Sequence, residues 1–306
     1  MDIDDSYKMK NFLINHLLCI LFVTLELFSF TAKAQQPVPY TLIVNDPSMV
    51  PSTYIDLVYF DYEGTMSNPD KWNQNVAGLG STIQAEIKPM DKIGVQGKLS
   101  FYWYGDKKEV VKLPTHLEGG AVMSIGSKIK EQDIKVPLRY FKTKVDVVDD
   151  QGRWRGTTDG IGMNYIEVKA KKEFRTWARA GALLRRSTYR PNINRSSQLG
   201  SETVVGVYAG IEVTRKAHVV AQLADREAVS AEYLKFYGDL MIFPVAAHST
   251  PDRGKRTPVG FRLGMTGKAP GMRHFANYMA PKVEIGMWPL DGWFWSVGFG
   301  MSLYKS

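Results

Sequence analysis

Gly292-Trp293-Phe294-Trp295-Ser296-Val297-Gly298-Phe299-Gly300-Met301-Ser302-Leu303-Tyr304 is the stretch whose reading decides the fold. Successive side chains of a strand point to opposite faces, so Trp293, Trp295, Val297, Phe299, Met301 and Leu303 share one face. Phe294, Ser296, Gly298, Gly300, Ser302 and Tyr304 share the other. A large apolar face is backed by a small, mostly polar one. The stretch before it repeats the pattern, with Val283, Ile285 and Met287 opposed to Lys282, Glu284, Gly286 and Trp288. The two form a hairpin that turns at Pro289-Leu290-Asp291. Such strands either cover a soluble core or face lipid around a polar lumen.

The same alternation runs back to Gly80. Ile83, Ala85 and Ile87 oppose Thr82, Gln84, Glu86 and Lys88, and a connection at Pro89-Met90-Asp91 leads to a strand ending at Trp103. Further strands are expected at 121–125, 134–140, 163–169, 174–186, 203–213, 219–223, 234–242 and 259–265. With the last hairpin these make about twelve. The polar groups Lys130-Glu131-Gln132, Lys171-Lys172 and Thr214-Arg215-Lys216 read as tight turns between neighbours. Residues 35–79, punctuated by five prolines, read as an irregular N-terminal extension. It packs on a barrel rim or enters the lumen, and a first barrel strand is the alternative for its aromatic run Tyr54 to Phe60.

The chain's beginning favours lipid. Lys8 and Lys10 precede an apolar run centred on Leu17 to Leu25, and Ala32-Lys33-Ala34 supplies small residues at a cleavage site. This is the pattern of a secretory signal peptide over residues 1–34, initiated at Met9 and cleaved before Gln35. The only cysteine, Cys19, lies within it. The mature chain therefore has no thiol for disulfides, catalysis or metal ligation. No later run is long enough for a membrane helix. A closed barrel crosses a bilayer without one, because its strands pair all their backbone groups. The formal net charge of +8 points to anionic partners, and export makes nucleic acid an unsuitable one.

On these residues the chain resembles the outer-membrane β-barrel proteins of Gram-negative bacteria. The resemblance covers residues 80–304. It is carried by the alternation, by an aromatic-rich terminal strand, and by Trp103, Trp288, Trp293 and Trp295 near strand ends, where interfacial girdles form. Glycines at 206, 210, 264, 286, 298 and 300 recur on the inner face. The fold expected is an all-β, antiparallel transmembrane barrel over residues 80–306. The resemblance implies location in the outer membrane, contact with its lipid and lipopolysaccharide, and a periplasmic C-terminus. Strand parity then puts all the tight turns on the extracellular rim and the long connections on the periplasmic one, the reverse of ordinary barrels.

Catalytic chemistry is poorly marked. His116, His218, His248 and His274 have no metal-ligand spacing, and Asp146, Asp149 and Asp150 lack the alternating oxygen ligands of a calcium loop. A lipid-hydrolase site would need His218, facing the lumen with Gln222, to meet Ser296 or Ser302. No local pattern marks either serine as a nucleophile. No catalytic residue, metal or cofactor is expected. Arg175, Arg179 and Arg185 share one strand face, and Arg262 points inward from another strand. Together they form a lumenal stripe that would favour anions, unless carboxylates such as Glu86, Glu173, Glu202, Glu212 and Glu284 neutralise it. The leading expectation is a non-enzymatic structural or interaction component of an envelope complex, with a periplasmic or envelope protein partner. A small anion-selective pore or passive transporter is the alternative. A lipid-modifying barrel enzyme and a soluble exported β-protein stand behind both.

Overall fold

The computed structural model describes residues 39–66, 76–88, 92–103, 115–148, 151, 153–189, 200–248, 258–268, 280–288 and 292–304. The signal-peptide segment, the 289–291 turn, Asp149, Asp150 and His274 lie outside the described residues. Among the described residues there are eleven strands: β1 (Thr41–Asn45), β2 (Tyr54–Met66), β3 (Val76–Ile87), β4 (Ile93–Trp103), β5 (Thr115–Val148), β6 (Trp154–Tyr189), β7 (Gly200–Gln222), β8 (Glu227–His248), β9 (Val259–Lys268), β10 (Lys282–Trp288) and β11 (Gly292–Tyr304). β2 to β11 close into a ten-stranded antiparallel barrel, with β11 paired to β2 and β7 to β8. Closure leaves the ring without an unpaired edge. β1 lies beside β7.

Ten ring strands replace the expected twelve for two reasons. Residues 130–132, 171–172 and 214–216 are not turns: β5, β6 and β7 run straight through them. These groups are polar but hold no Gly, Pro, Asn or Asp, the residues that supply turn geometry. β5 keeps its phase through 130–132, with 116, 118 and 122 and then 134 and 136 buried, whereas at the other two groups the phase changes. On β7 the buried positions run 212, 214, 216 and then 217, 219, 221, while β6 shifts from 168, 170, 172 to 177, 179. The slip puts Val219, Ala221 and Leu223 on the buried face, so His218 and Gln222 stand on the opposite, partly exposed face instead of lining the lumen.

The second reason is β2, a ring strand inside the segment read as an extension. Its alternation looks irregular because it carries a bulge. Pairing with both β3 and β11 shifts register between Val58 and Asp61, and the buried set passes from Tyr54, Asp56, Val58 to Asp61, Glu63. One extra residue inverts the pattern.

With these strands in place, parity sorts the connections differently. Within the unit that holds the ion-paired lumen, strand order puts the short 88–92 and the long 269–281 connections at the end of the ring where β2 starts and β11 finishes. The opposite end carries 289–291 together with 67–75, 104–114, 190–199 and 249–258. The 88–92 turn therefore does not share an end with 289–291, and long connections occur at both ends, so the expected gathering of tight turns on one rim and long connections on the other is not found.

The chain divides into two compact units. One comprises residues 134–168 and 222–228 with the chain up to Thr41. It buries Ile134, Val136, Tyr165, Ile166 and Val168, and the Lys135 ammonium lies 4.6 Å from the centre of the Tyr165 ring. Its 223–226 turn closes with a 2.8 Å bond from Leu223 N–H to Arg226 O. The other unit comprises 42–133, 169–221 and 229–306, and contains everything described next.

Candidate functional site

Alternation sends apolar side chains outward and charged ones inward. Ile55, Leu79, Ile83, Val95, Leu117, Val207, Ile211, Leu240, Leu263, Ile285 and Leu303 are exposed on the outer face. Inside, eight carboxylates and nine Lys or Arg side chains are buried among the described residues. An unpaired buried charge is strongly unfavourable, so the lumen is held together by matching.

At mid-height, Arg262 bridges two carboxylates. It donates to Glu118 through Nη1 at 2.6 Å and to Asp239 Oδ2 through Nη2 at 2.7 Å. Arg179 contacts the same pair, with Nε 3.1 Å from Asp239 Oδ1 and Nη2 3.4 Å from Glu118 Oε1. Glu284 gathers Lys98 at 2.7 Å, Lys282 at 2.9 Å and the Tyr237 hydroxyl, and Lys282 also reaches Asp61 at 3.3 Å. Tyr237 lies flat on the wall because position 264 is glycine. A Cβ there would collide with the ring. The Arg179 guanidinium stacks 4.3 Å from the centre of that ring.

Nearer the rim with the chain ends, Lys235 donates to Glu86 at 2.6 Å, and Lys88 joins Glu86 to Glu212, 3.0 Å from the latter. Lys268 and the Ser302 hydroxyl both donate to Asp56 Oδ1, at 2.8 and 2.6 Å. A strap closes this mouth. β1 lies beside β7, and β2 stands five strands away in a ring of ten, directly across. Residues 46–53 join them and so cross the diameter. The strap is fixed where it starts by Asp46 N–H to His218 O at 3.2 Å, and where it ends by Lys88 N–H to Thr53 Oγ1 at 3.3 Å. Midway, Lys216 donates to Ser52 Oγ at 2.5 Å and Val50 O at 3.4 Å. Val50 itself is buried with Tyr54 and Tyr233. Asp46 caps the short 3-10 turn Pro47–Met49 by accepting from Ser48 N–H at 2.8 Å, which holds its carboxyl below the usual range. Burial pushes the Lys216 ammonium down to about 8.

Strand side chains close the other end. Trp288 stacks on Phe294 with ring centres 4.8 Å apart and meets Phe243 edge-on at 5.8 Å, beside Leu183, Val204 and Met241. Trp288 thus belongs to the interior and not to an outer girdle. Trp293 does stand outside, half exposed, with its ring against Phe261. The side chain of Trp103 is outside the described set. Between the two closures lies a cavity of about 20 Å³ bordered by Arg179, Arg262, Lys98, Glu118 and Glu284. It has room for about one water molecule.

The four arginines of the sequence stripe divide. Arg179, Arg185 and Arg262 are buried in the lumen, and all three face carboxylates, Arg185 at 2.5 Å from Glu63. Arg175 is half-buried near the strap mouth and pairs with Glu173 through Nε at 2.9 Å and Nη2 at 2.6 Å. Of the anticipated partners, Glu173 and Glu212 lie beside these arginines, and Glu284 stands 3.9 Å from Arg262. For the three lumenal arginines the shorter contacts come from Glu63, Glu118 and Asp239, which sequence reasoning missed. Asp239 carried a signal, because it opposes Leu240 and Phe236 in a clean alternation. The inward lysines carried the same signal.

No catalytic contact joins His218 to Ser296 or Ser302, and Ser302 is occupied with Asp56. Among the described residues no group of three or more His, Cys, Asp or Glu is arranged to hold a metal. No model of a known protein family matches the chain, and no curated protein sequence matches it.

Proposed function

We propose that this chain is an integral outer-membrane barrel that serves as a structural or interaction component of an envelope complex. One observation carries the reading: an apolar outer surface surrounds a lumen filled with matched ions and closed at both ends. A soluble protein rarely exposes so large a continuous apolar surface. In a bilayer that surface has a solvent, and the paired interior is the polar lumen of a barrel. The signal-peptide pattern of residues 1–34 supports export, and outer-membrane lipid and lipopolysaccharide are the natural surroundings.

The matched interior argues against the pore alternative. An anion path needs guanidinium groups that can exchange partners, and Arg179, Arg185 and Arg262 are each held by protein carboxylates. Passage past them would break several buried pairs at once. The reading therefore assigns the barrel a scaffold's role, with contacts made from its rims and to a periplasmic or envelope protein.

Two measurements test it. Membrane fractionation, with boiled and unboiled detergent extracts compared on a gel, is expected to recover the protein in the outer membrane with a faster unboiled band. Recovery in the soluble periplasmic fraction with no shift would overturn the membrane assignment. In planar bilayers the purified barrel is expected to be silent. Steady anion-selective conductance would restore the pore.

A further inference from the structure

Lys216 is the odd member of the buried charges. Each of the other eight buried Lys and Arg side chains among the described residues has a carboxylate oxygen at 3.8 Å or closer. The Lys216 ammonium instead donates to Ser52 Oγ at 2.5 Å and to Val50 O at 3.4 Å, two uncharged oxygens of the strap. The carboxylates around it are held by other cations. Glu173 stands directly opposite on β6, but it accepts from Arg175 through Nε and Nη2. Glu86 takes Lys235 and Lys88, and Glu212 takes Lys88. Along the rim, Glu232 is shared by Arg215 and Lys172, and Asp133 also acts on Lys172. Asp56 holds Lys268, and Lys171 acts on the exposed Asp46. These groups balance one another and leave the charge of Lys216 over. Burial, with Lys88 and Arg175 nearby, outweighs the pull of Glu173 on that ammonium.

We infer that the Lys216 ammonium is an anion site which the strap occupies in the closed barrel, and that a small oxyanion of the phosphate type competes with the strap for it. An ammonium carries three donors and no acceptor, so it is satisfied only by oxygens brought to it. The strap brings two, without a counter-charge. A phosphate oxygen brings both, and a charge-assisted bond to an ionised acceptor is the stronger one in a desolvated recess. The recess is walled by aromatic rings that limit solvent screening: the Tyr233 ring centre lies 5.9 Å from the Lys216 ammonium, and Trp177 lies 4.0 Å from that of Lys88. The anion does not have to break an ion pair to enter. It has only to displace Val50 and Ser52, and no ring strand loses a neighbour when they leave. The inference goes beyond the scaffold reading by giving the barrel a ligand-controlled mouth, and it does not depend on the membrane assignment.

The test follows proteolytic nicking of residues 46–53 in the full-length barrel at neutral pH, with inorganic phosphate titrated against sodium chloride of equal ionic strength. A second series uses micelles with and without phosphatidylglycerol and no free phosphate, which separates a lipid headgroup from the free ion as the source. A ligand that binds only the open form multiplies the open population by one plus the ratio of its concentration to its dissociation constant. Nicking is therefore expected to rise about tenfold at a concentration about ten times that constant. Lys216→Met should nick at a rate that neither phosphate nor the lipid changes. Ser52→Ala removes one competing oxygen and should lower the phosphate concentration that half-opens the strap by about tenfold. The unboiled gel band confirms that each variant is folded. Nicking that responds to neither phosphate nor the lipid would overturn the inference, as would a response that chloride equals or that survives in Lys216→Met. A soluble, unshifted protein in the fractionation experiment would remove the membrane assignment and leave the phosphate result standing.

Discussion

The two ends of the lumen are closed by different means. At one end the stopper is made of strand residues: Trp288, Phe294 and Phe243 sit within β10, β11 and β8, each fixed by the ladder of its own strand. At the other, Val50 hangs from an eight-residue connection held by a few hydrogen bonds to β7 and by Thr53. The first closure cannot leave without dismantling the ring. The second can be released while every ring strand keeps both neighbours. A lumen stoppered in these two ways has one permanent end and one separable end, with the ion network between them acting as a common floor.

The floor sets the scale, and the largest effect is expected there. Arg262→Leu leaves Glu118 and Asp239 without their main partner in a buried site. Removing one member of such a pair costs about 3–5 kcal/mol. The temperature at which the unboiled gel band disappears should fall sharply. An unchanged temperature would mean that the pairs are solvated and the lumen is wetter than a 20 Å³ cavity allows. Trp288→Ala should come next, at about 3–4 kcal/mol for a large buried aromatic. It should also remove the indole that lies 4.6 Å from the Arg185 guanidinium, leaving Glu63 to hold that group.

The strap is the softer end. Val50→Ala removes two methyl groups from a small cluster, a loss of about 1–2 kcal/mol. Its effect should appear as faster proteolytic nicking between residues 46 and 53, with the melting of the ring nearly unchanged. If nicking and ring melting moved together, the strap would be part of the ring's cooperative unit and the contrast between the ends would fail. Neither Trp288→Ala nor Val50→Ala should conduct ions in a planar bilayer, since each opens only one end above an intact floor.

Much of this was legible in the chain. The hairpin Lys282–Tyr304 announces its faces correctly because it has no bulge, and the structure buries Phe294, Ser296, Gly298 and Ser302 as the alternation requires. Arg262 facing inward was readable for the same reason. Failures occurred where the period of two is interrupted. A single bulge hid β2 inside an apparent extension, and shared phase slips near Glu173 and Lys216, which pair directly, made continuous strands look like turns. Ion partners were legible only in part. Alternation tells which face Glu63 or Glu118 occupies, but its partner, Arg185 or Arg262, is set by ring closure, which no local pattern records.

The smallest predicted effect concerns pH and separates the ends once more, because titration can loosen the strap but has no handle on an apolar stopper. On β7 the apolar outer positions run from Val205 to Val213 and stop at Arg215, so Lys216 lies beyond the band that would contact lipid. Burial lowers its ammonium from the ordinary 10.5 to about 8 in the closed form. Between those values the released state binds more protons than the closed one, so closure strengthens as pH rises through the window and is weaker below it. Asp46 acts with the opposite residue type at the acid end. Its lowered carboxyl supports the strap above the usual carboxylate range and ceases to do so as pH falls through its depressed value. The native strap should therefore gain resistance to nicking relative to Lys216→Met between pH 8 and 10, with each pair of rates compared at the same pH so that the protease's own profile cancels. Equal ratios across that range would mean that Lys216 keeps its proton whether the strap is closed or open, and that Val50 and the backbone bonds alone hold the mouth.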